Sequence, residues 1–247
     1  MHTGSIEAVT VDLWFTLIAH DEFYDDKITE ARLSGIAGAL HDAGHDISRE
    51  KIVEAFGASG KYLEQYWATY RDMDTEGQVK ILLECMGIEP EQGLVTSIAD
   101  PYANAVLQVE PFLVDGALEA LEAIRDSGLR LALISNTGRT PGQAMRKVIR
   151  KMGILDFFEV TTFSNEAGYL KPDSRIFEST LSRIGAKPEQ TVHVGDHDLL
   201  DVKGAKDYGM KSIKVLQYAG NGKANREPDL CIDTMYDLPD AILRLMK

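Results

Sequence analysis

From Pro111 onward the chain alternates between two hydrophobic periods, and no other feature limits its possible folds so strongly. DGALEALEAIRDSG repeats apolar residues at helical spacing, with Asp115 as a candidate N-cap and Gly128 as a stop, and LRLALIS follows as a short apolar strand. PGQAMRKVIRKMG reads as a helix opened by Pro141, FEVTTFS as a strand, DSRIFESTLSRIG as a helix and TVHVG as a strand. LLDVKGAKDYG then predicts a helix, MKSIKVL a strand, and residues 238–246 a final helix. Strands and helices in turn, joined by right-handed crossovers, predict an α/β fold with a doubly wound, mostly parallel sheet.

Residues 6–13 read as one more short buried strand, too brief for a helix and rich in β-branched residues. Over residues 20–108 the texture changes. Stretches such as DDKITEARLSGIAGALHDAG and REKIVEAFGASGKYLEQYWATYR place apolar residues three and four apart, which predicts an all-helical insertion. The expected organisation is a core formed by residues 1–19 and 109–247, with residues 20–108 as a helical domain over the carboxyl edge of the sheet, where such folds bind ligands. No internal repeat or low-complexity tract interrupts this pattern.

Composition narrows the function. An apolar fraction of 44% over 247 residues can bury a substantial core. Thirty-nine acidic against 26 basic residues leave a formal charge of −13, which opposes attraction to phosphate backbones and anionic lipid, so neither nucleic acid nor a membrane is an expected partner. Cys85 and Cys231 have neither metal-site spacing nor the density of a secreted scaffold, Met1–Ser5 lead into no signal-like run, and no window is apolar enough to span a bilayer. A cytoplasmic protein acting on a small molecule is the expectation.

Four predicted strands are each followed by polar residues: Asp12 and Thr16 in DLWFT, Ser135 and Asn136 in LALISNTG, Lys171 in GYLKPDSRIF, and Asp196 with Asp201 in VHVGDHDLLDVKGA. Singly, each has a structural explanation as a turn residue, a solvated charge or, for Asp196 or Asp198, a helix N-cap. Jointly they converge, because parallel strands deliver all four loops to one sheet edge.

In these motifs, their order and their spacing, the sequence resembles the haloacid dehalogenase superfamily, a group dominated by phosphatases. The resemblance covers residues 6–18 and the chain from about residue 111 onward. It implies a Rossmann-like core, and residues 20–108 match in position and length the helical cap of one subfamily. It further implies Asp12 as nucleophile, and Asp12, the backbone carbonyl of Trp14 and Asp196 as Mg²⁺ ligands, with Asp201 in or next to that set. Ser135 and backbone N–H groups around Asn136 would hold the transferring group, and Lys171 would tie nucleophile to phosphoryl charge. The chemistry is coherent by itself. A carboxylate nucleophile splits a displacement into two easier steps, it must stay ionised beside other acids, and Mg²⁺ with Lys171 could balance that charge.

Trp14 breaks the pattern. Phosphatases of this kind carry D-x-D, whose second acid protonates the leaving oxygen, and an indole N–H cannot do so. His20, Asp21 and His197 are candidates to substitute. An aromatic residue at this place is instead similar to L-2-haloacid dehalogenases, whose halide departs unprotonated. Those enzymes tend to carry Ser-Ser-Asn where this chain has Gly195-Asp196 followed by Asp201, and tyrosine where it has Phe177. The expected function is a Mg²⁺-dependent phosphatase acting on a small phosphorylated metabolite. The alternatives are a metal-independent dehalogenase with a halogenated substrate, or a weakly active regulatory homologue that kept the metal and phosphate cradle. His193 is expected to be a satisfied sheet residue, Arg139 either touches the substrate anion or is solvated, and Tyr62, Tyr66, Trp67 and Tyr70 are expected to build the core of the cap.

Overall fold

The structure is a computed structural model that describes residues 5–219 and 225–247. Of the Met1–Ser5 stretch considered above, all but Ser5 lies outside the described residues. In chain order, strand β1 (Ala8–Val11) and a short β2 (Ile18–Ala19) precede helices α1 (Tyr24–Asp42), α2 (Arg49–Trp67), α3 (Thr75–Met86) and α4 (Gln92–Asn104). Then come β3 (Phe112–Leu113), α5 (Ala117–Asp126), β4 (Arg130–Ser135), α6 (Gly142–Lys151), β5 (Val160–Phe163), α7 (Ser164–Ala167) and α8 (Ser174–Ile184). β6 (Thr191–Gly195), α9 (Gly204–Asp207), β7 (Lys211–Val215), β8 (Leu230–Ile232) and α10 (Leu238–Leu245) complete the chain.

Six strands form one parallel sheet in the order β5-β4-β1-β6-β7-β8. β1 lies between β4 and β6, with Ala8 opposite Arg130 on one side and Thr191 on the other. Every residue of β1 is buried because helices cover both faces. Alternation divides the strands. Val9, Val11, Leu131, Leu133, Val192 and Val194 join the larger core, whereas Ile134 packs with α8 residues Ile176, Phe177 and Leu181 on the opposite face. The sequence pattern misses β8 and the antiparallel pair β2–β3, whose two- and three-residue strands are too short to show a period. Asp115 does not cap α5. The cap position belongs to Gly116 at φ 84°, where a Cβ would lie 2.7 Å from the Tyr236 backbone nitrogen.

Helices α1–α4 have a core of their own, with Leu33, Ile36, Leu40, Ile52, Leu82, Leu83, Val95, Ile98 and Tyr102 at its centre. The expectation that Tyr62, Tyr66, Trp67 and Tyr70 build this core is overturned. Tyr62 and Tyr70 are exposed, and none of the four joins it. The helical segment stands over the carboxyl edge of the sheet: Gln78 Nε2 donates to the Gly138 carbonyl after β4, and backbone bonds link Tyr70 and Asp72 to Leu170 and Gly168 after β5. The fold is thus a doubly wound parallel sheet with a helical cap.

Candidate active site

Asp12 sits one residue beyond β1, and its N–H donates to the Val194 carbonyl at 2.9 Å, so the parallel ladder sets its position. The chain then turns sharply: the N–H groups of Leu17 and Ile18 both donate to the Leu13 carbonyl, and Phe15 adopts φ 60°. A bulky residue in the left-handed region costs of order 1 kcal/mol or more and signals a conformation imposed by its surroundings. Thr16 Oγ1 lies 3.4 Å from Asp12 Oδ2.

The loop carrying Lys171 is held from two sides. Asn136 clamps it, with Oδ1 accepting from the Lys171 N–H at 2.8 Å and Nδ2 donating to the Lys171 carbonyl at 3.1 Å. On the other side, Arg71 and Tyr169 form an antiparallel bridge. The Asn136 side chain is therefore engaged with Lys171, while Ser135 lies fully buried at the end of β4. Lys171 is 1% exposed, and its Nζ donates to Asp12 Oδ1 and, at 2.6 Å, to Asp201 Oδ1.

Asp201 is reached because Gly195 has no side chain; a Cβ there would lie 2.3 Å from Asp201 Cγ. Asp201 Oδ2 accepts from the His197 N–H, and His193 Nε2 lies 3.0 Å from Oδ1. A carboxylate only accepts, so His193 Nε2 carries the proton and Nδ1 accepts from Thr10 Oγ1 at 2.8 Å. His193 is thus a satisfied sheet residue that also joins the charged cluster, a link its alternation within TVHVG does not reveal. Asp198 turns away to Lys214, and the cap of the following helical turn is the His197 ring, neither Asp196 nor Asp198. Asp12, Asp196 and Asp201 place carboxylate oxygens within 4.8 Å of one another, all three buried.

The electrostatics follow from three acids around one lysine. Burial pushes Asp12 up, Lys171 opposes it, and the charges of Asp201 and Asp196 add to the rise, which ends at about 7. Burial would also raise Asp201, but Lys171 and the His193 hydrogen bond outweigh it and hold the carboxyl below its usual range. Lys171 is raised because its two carboxylates overcome the cost of burial, and burial keeps His193 low and neutral.

The Trp14 indole turns toward the helical segment, edge-on to His20 and tilted against Tyr24, each at 5.8 Å between ring centroids. Of the three candidate acids, only His20 lines the adjoining cavity; His197 is used as a cap, and Asp21 accepts from the Phe23 N–H and pairs with Lys27. That cavity also contains Arg139, and two groups that the sequence reading missed, Tyr24 and Arg32. Arg32 had a visible signal: it interrupts the buried stripe Ile28, Ile36, Leu40 at four-residue spacing. Phe177, fully buried, packs edge-on to His193 at 5.3 Å.

A family model described as a haloacid dehalogenase-like hydrolase matches residues 6–209. The chain is 30% identical over 243 residues to a glyceraldehyde 3-phosphate phosphatase of Methanocaldococcus jannaschii, covering 98% of this chain and 99% of that protein. It is 27% identical over 221 residues to a ribulose-1,5-bisphosphate 5-phosphatase of Halopiger xanaduensis, covering 85% and 91%. Among solved structures, a 2-haloacid dehalogenase from Pseudomonas syringae superposes with a TM-score of 0.71 at 23% identity, over 97% of this chain and 99% of that one. The last likeness establishes the shared fold. The family match spans most of the chain and includes the strand ends that converge on Asp12 and Lys171, so this protein belongs to the haloacid dehalogenase-like hydrolases.

Proposed function

We propose that this hydrolase is a Mg²⁺-dependent phosphatase that passes a phosphoryl group from a small phosphorylated metabolite to Asp12 and then to water. One observation carries the reading: the buried carboxylates of Asp12, Asp196 and Asp201 bring oxygens within 4.8 Å of one another, with Lys171 bridging Asp12 and Asp201. Three converging hard oxygens suit a divalent cation of the Mg²⁺ type. Asp12, Asp196 and the Trp14 carbonyl would hold it, with Asp201 beside them. Bound there, Mg²⁺ would supply Lewis-acid polarisation of phosphoryl oxygens and return Asp12 to its ionised form.

The protein groups divide the remaining work. An Asp12 oxygen attacks phosphorus as the ester P–O bond breaks, and the departing oxygen would take its proton from His20, which lines the adjoining cavity. Water then attacks the phosphorus of the phosphoaspartate, which releases orthophosphate and restores the carboxylate. Lys171 holds Asp12 in place and offsets phosphoryl charge, and Ser135 with the N–H groups beyond β4 would receive phosphoryl oxygens. Residues 1–19 and 109–247 would form the catalytic core and residues 20–108 the cap. The phosphatase names of relatives that cover most of this chain support the substrate class. Both cysteines are free and exposed, which fits a cytoplasmic setting, and no described helix is long and apolar enough to cross a membrane.

The aromatic Trp14 supports a second reading, a metal-independent 2-haloacid dehalogenase. Metal dependence separates the two. Phosphate release from a panel of metabolite phosphates is measured with Mg²⁺ and with EDTA, and halide release from 2-chloropropionate in parallel. Turnover of phosphates that EDTA abolishes is expected. Halide release in EDTA, with no phosphate release in Mg²⁺, would replace the phosphatase by the dehalogenase.

A further inference from the structure

Trp14, two residues beyond Asp12, helps to line a cavity of about 180 Å³ between α1 and the loop that follows β4. Trp14, His20, Tyr24, Ile28, Arg32, Thr137, Arg139 and Thr140 line it, with Asp25 at its exposed rim. That volume holds a few carbon atoms and one ionic group.

Charge in this cavity is unbalanced in the positive direction. Arg32 is 4% exposed, and its Nε and Nη2 donate to neutral acceptors, the Tyr102 carbonyl at 3.0 Å and Thr140 Oγ1 at 2.9 Å. Arg139 donates to the Tyr102 hydroxyl, the Phe56 carbonyl and Ser59 Oγ, and its guanidinium lies 4.0 Å from the Phe56 ring centroid. Among the described residues neither arginine pairs with a carboxylate, Arg32 Nη1 and Arg139 Nε make no protein hydrogen bond, and the charged neighbour felt by Arg32 is Arg139, which repels it. The buried carboxylate Asp72, whose charge reaches Tyr102, is taken up by Trp67 Nε1, Ser164 Oγ, Thr137 Oγ1 and the Met73 N–H. A second observation is independent of charge. The Tyr24 hydroxyl is buried without any hydrogen-bond partner, and Tyr24 lines the same cavity.

A buried guanidinium cannot shed its proton, and an uncompensated buried charge or an unpartnered buried hydroxyl is costly. In a chain with a net charge of −13, two arginines without acidic partners beside the nucleophile loop ask for an anion that the chain does not supply. We infer that the substrate carries a second anionic group, a carboxylate or a second phosphate a few atoms from the scissile phosphate, bound by Arg32, Arg139 and Tyr24. This rests on the phosphatase reading and names its substrate class: short, doubly anionic phosphate esters rather than singly charged aldehyde or polyol phosphates. Trp14 then has a use of its own as the wall between the two anionic subsites, where a second carboxylate would repel the substrate tail.

The test compares matched esters. With Mg²⁺, kcat/KM is measured for 2-phosphoglycolate against 2-hydroxyethyl phosphate, and for 1,3-propanediol bisphosphate against 3-hydroxypropyl phosphate. The charged member of at least one pair is expected to be favoured by about 10- to 100-fold, and which pair shows it tells carboxylate from phosphate. Arg32 also braces Thr140 and Tyr102, so R32Q could fail by misfolding; Arg139→Gln and Tyr24→Phe carry the test. The preference should fall about tenfold in the first and a few-fold in the second, with unchanged circular dichroism. A preference near one in wild type, or one that neither variant alters, overturns the proposal. If no ester is turned over, the phosphatase reading fails first, and calorimetric titration with the same four compounds decides the subsite. Tighter binding of a charged member, weakened by Arg139→Gln, upholds it; equal binding within both pairs overturns it.

Discussion

At the sheet edge three carboxylates lie together with Lys171 bridging two of them, whereas beyond the Asp12 loop two guanidinium groups share a cavity with no acid paired to either among the described residues. Both regions are largely buried, and both consist of charges that water would solvate better, yet acids dominate the one and guanidinium groups the other. The acidic side is closed by internal hydrogen bonds: Lys171 bridges Asp12 and Asp201, and His193 ties Asp201 to Thr10 within the sheet. Among the described residues the cationic side is bonded only to neutral oxygens. The difference teaches how a strongly acidic protein can receive an anionic substrate. It bridges two acids of one pole with a lysine and sets the other pole in the cap and in the loop facing it. A phosphate ester with a charged tail would complete both.

Four substitutions break or sharpen that contrast. Asp12→Asn removes the proposed nucleophile while relieving crowding among the acids, so phosphate release should fall by of order 10⁴-fold or more with the circular dichroism spectrum unchanged. Near wild-type turnover by the folded variant would remove Asp12 from the mechanism. Lys171→Met unmasks the acidic pole and should destabilise the fold by about 3–5 kcal/mol in denaturant titrations, because Asp12 and Asp201 are left buried without their cation. A loss below about 1 kcal/mol would mean that the cluster is wetter than its burial implies.

His20→Gln addresses the junction between the poles. Of the three candidate acids, His20 is the one that lines the cavity beside Trp14, and as donor to the leaving oxygen it should give a roughly 10²-fold loss on alkyl phosphates and a much smaller loss on aryl phosphates, which leave with less protonation. Equal losses on both classes would count against an acid role. The smallest effect is expected outside the crevice. Arg130 pairs with Glu159 at 2.8 Å on an exposed edge, and Arg130→Ala should cost less than about 1 kcal/mol and leave kcat/KM untouched.

How much of this was legible beforehand depends on the distance over which each feature is encoded. Helix and strand periods report which face of a local segment is buried, so the strands of LRLALIS, FEVTTFS and TVHVG and their placement in a parallel sheet could be read from residues a few positions apart. Parallel connection then required the residues beyond those strands to share one edge, which is how Asp12, Ser135, Lys171, Asp196 and Asp201 could be grouped before any coordinates. The short strands β2, β3 and β8 were not legible, since two or three residues carry no period.

The cavity opposite was not legible as a unit either. Arg32 stands out as a charge in an apolar stripe, but its partner Thr140 lies 108 positions away, and Arg139 meets Ser59 across 80. Asp72 likewise bonds Ser164 across 92 positions. These contacts depend on the angle at which α1, α2 and α4 settle over the loops after β4 and β5, and that angle is set by packing of whole helical faces. The sequence by itself determined the parallel sheet, the row of polar strand ends and the presence of a helical insertion, because local periodicity and chain connectivity suffice for those. Tertiary structure alone decided that His193 joins Asp201, that Asn136 clamps Lys171, and that two arginines and an unpartnered tyrosine face one cavity, because hydrogen bonds and charge balance are made between side chains that only packing brings within reach.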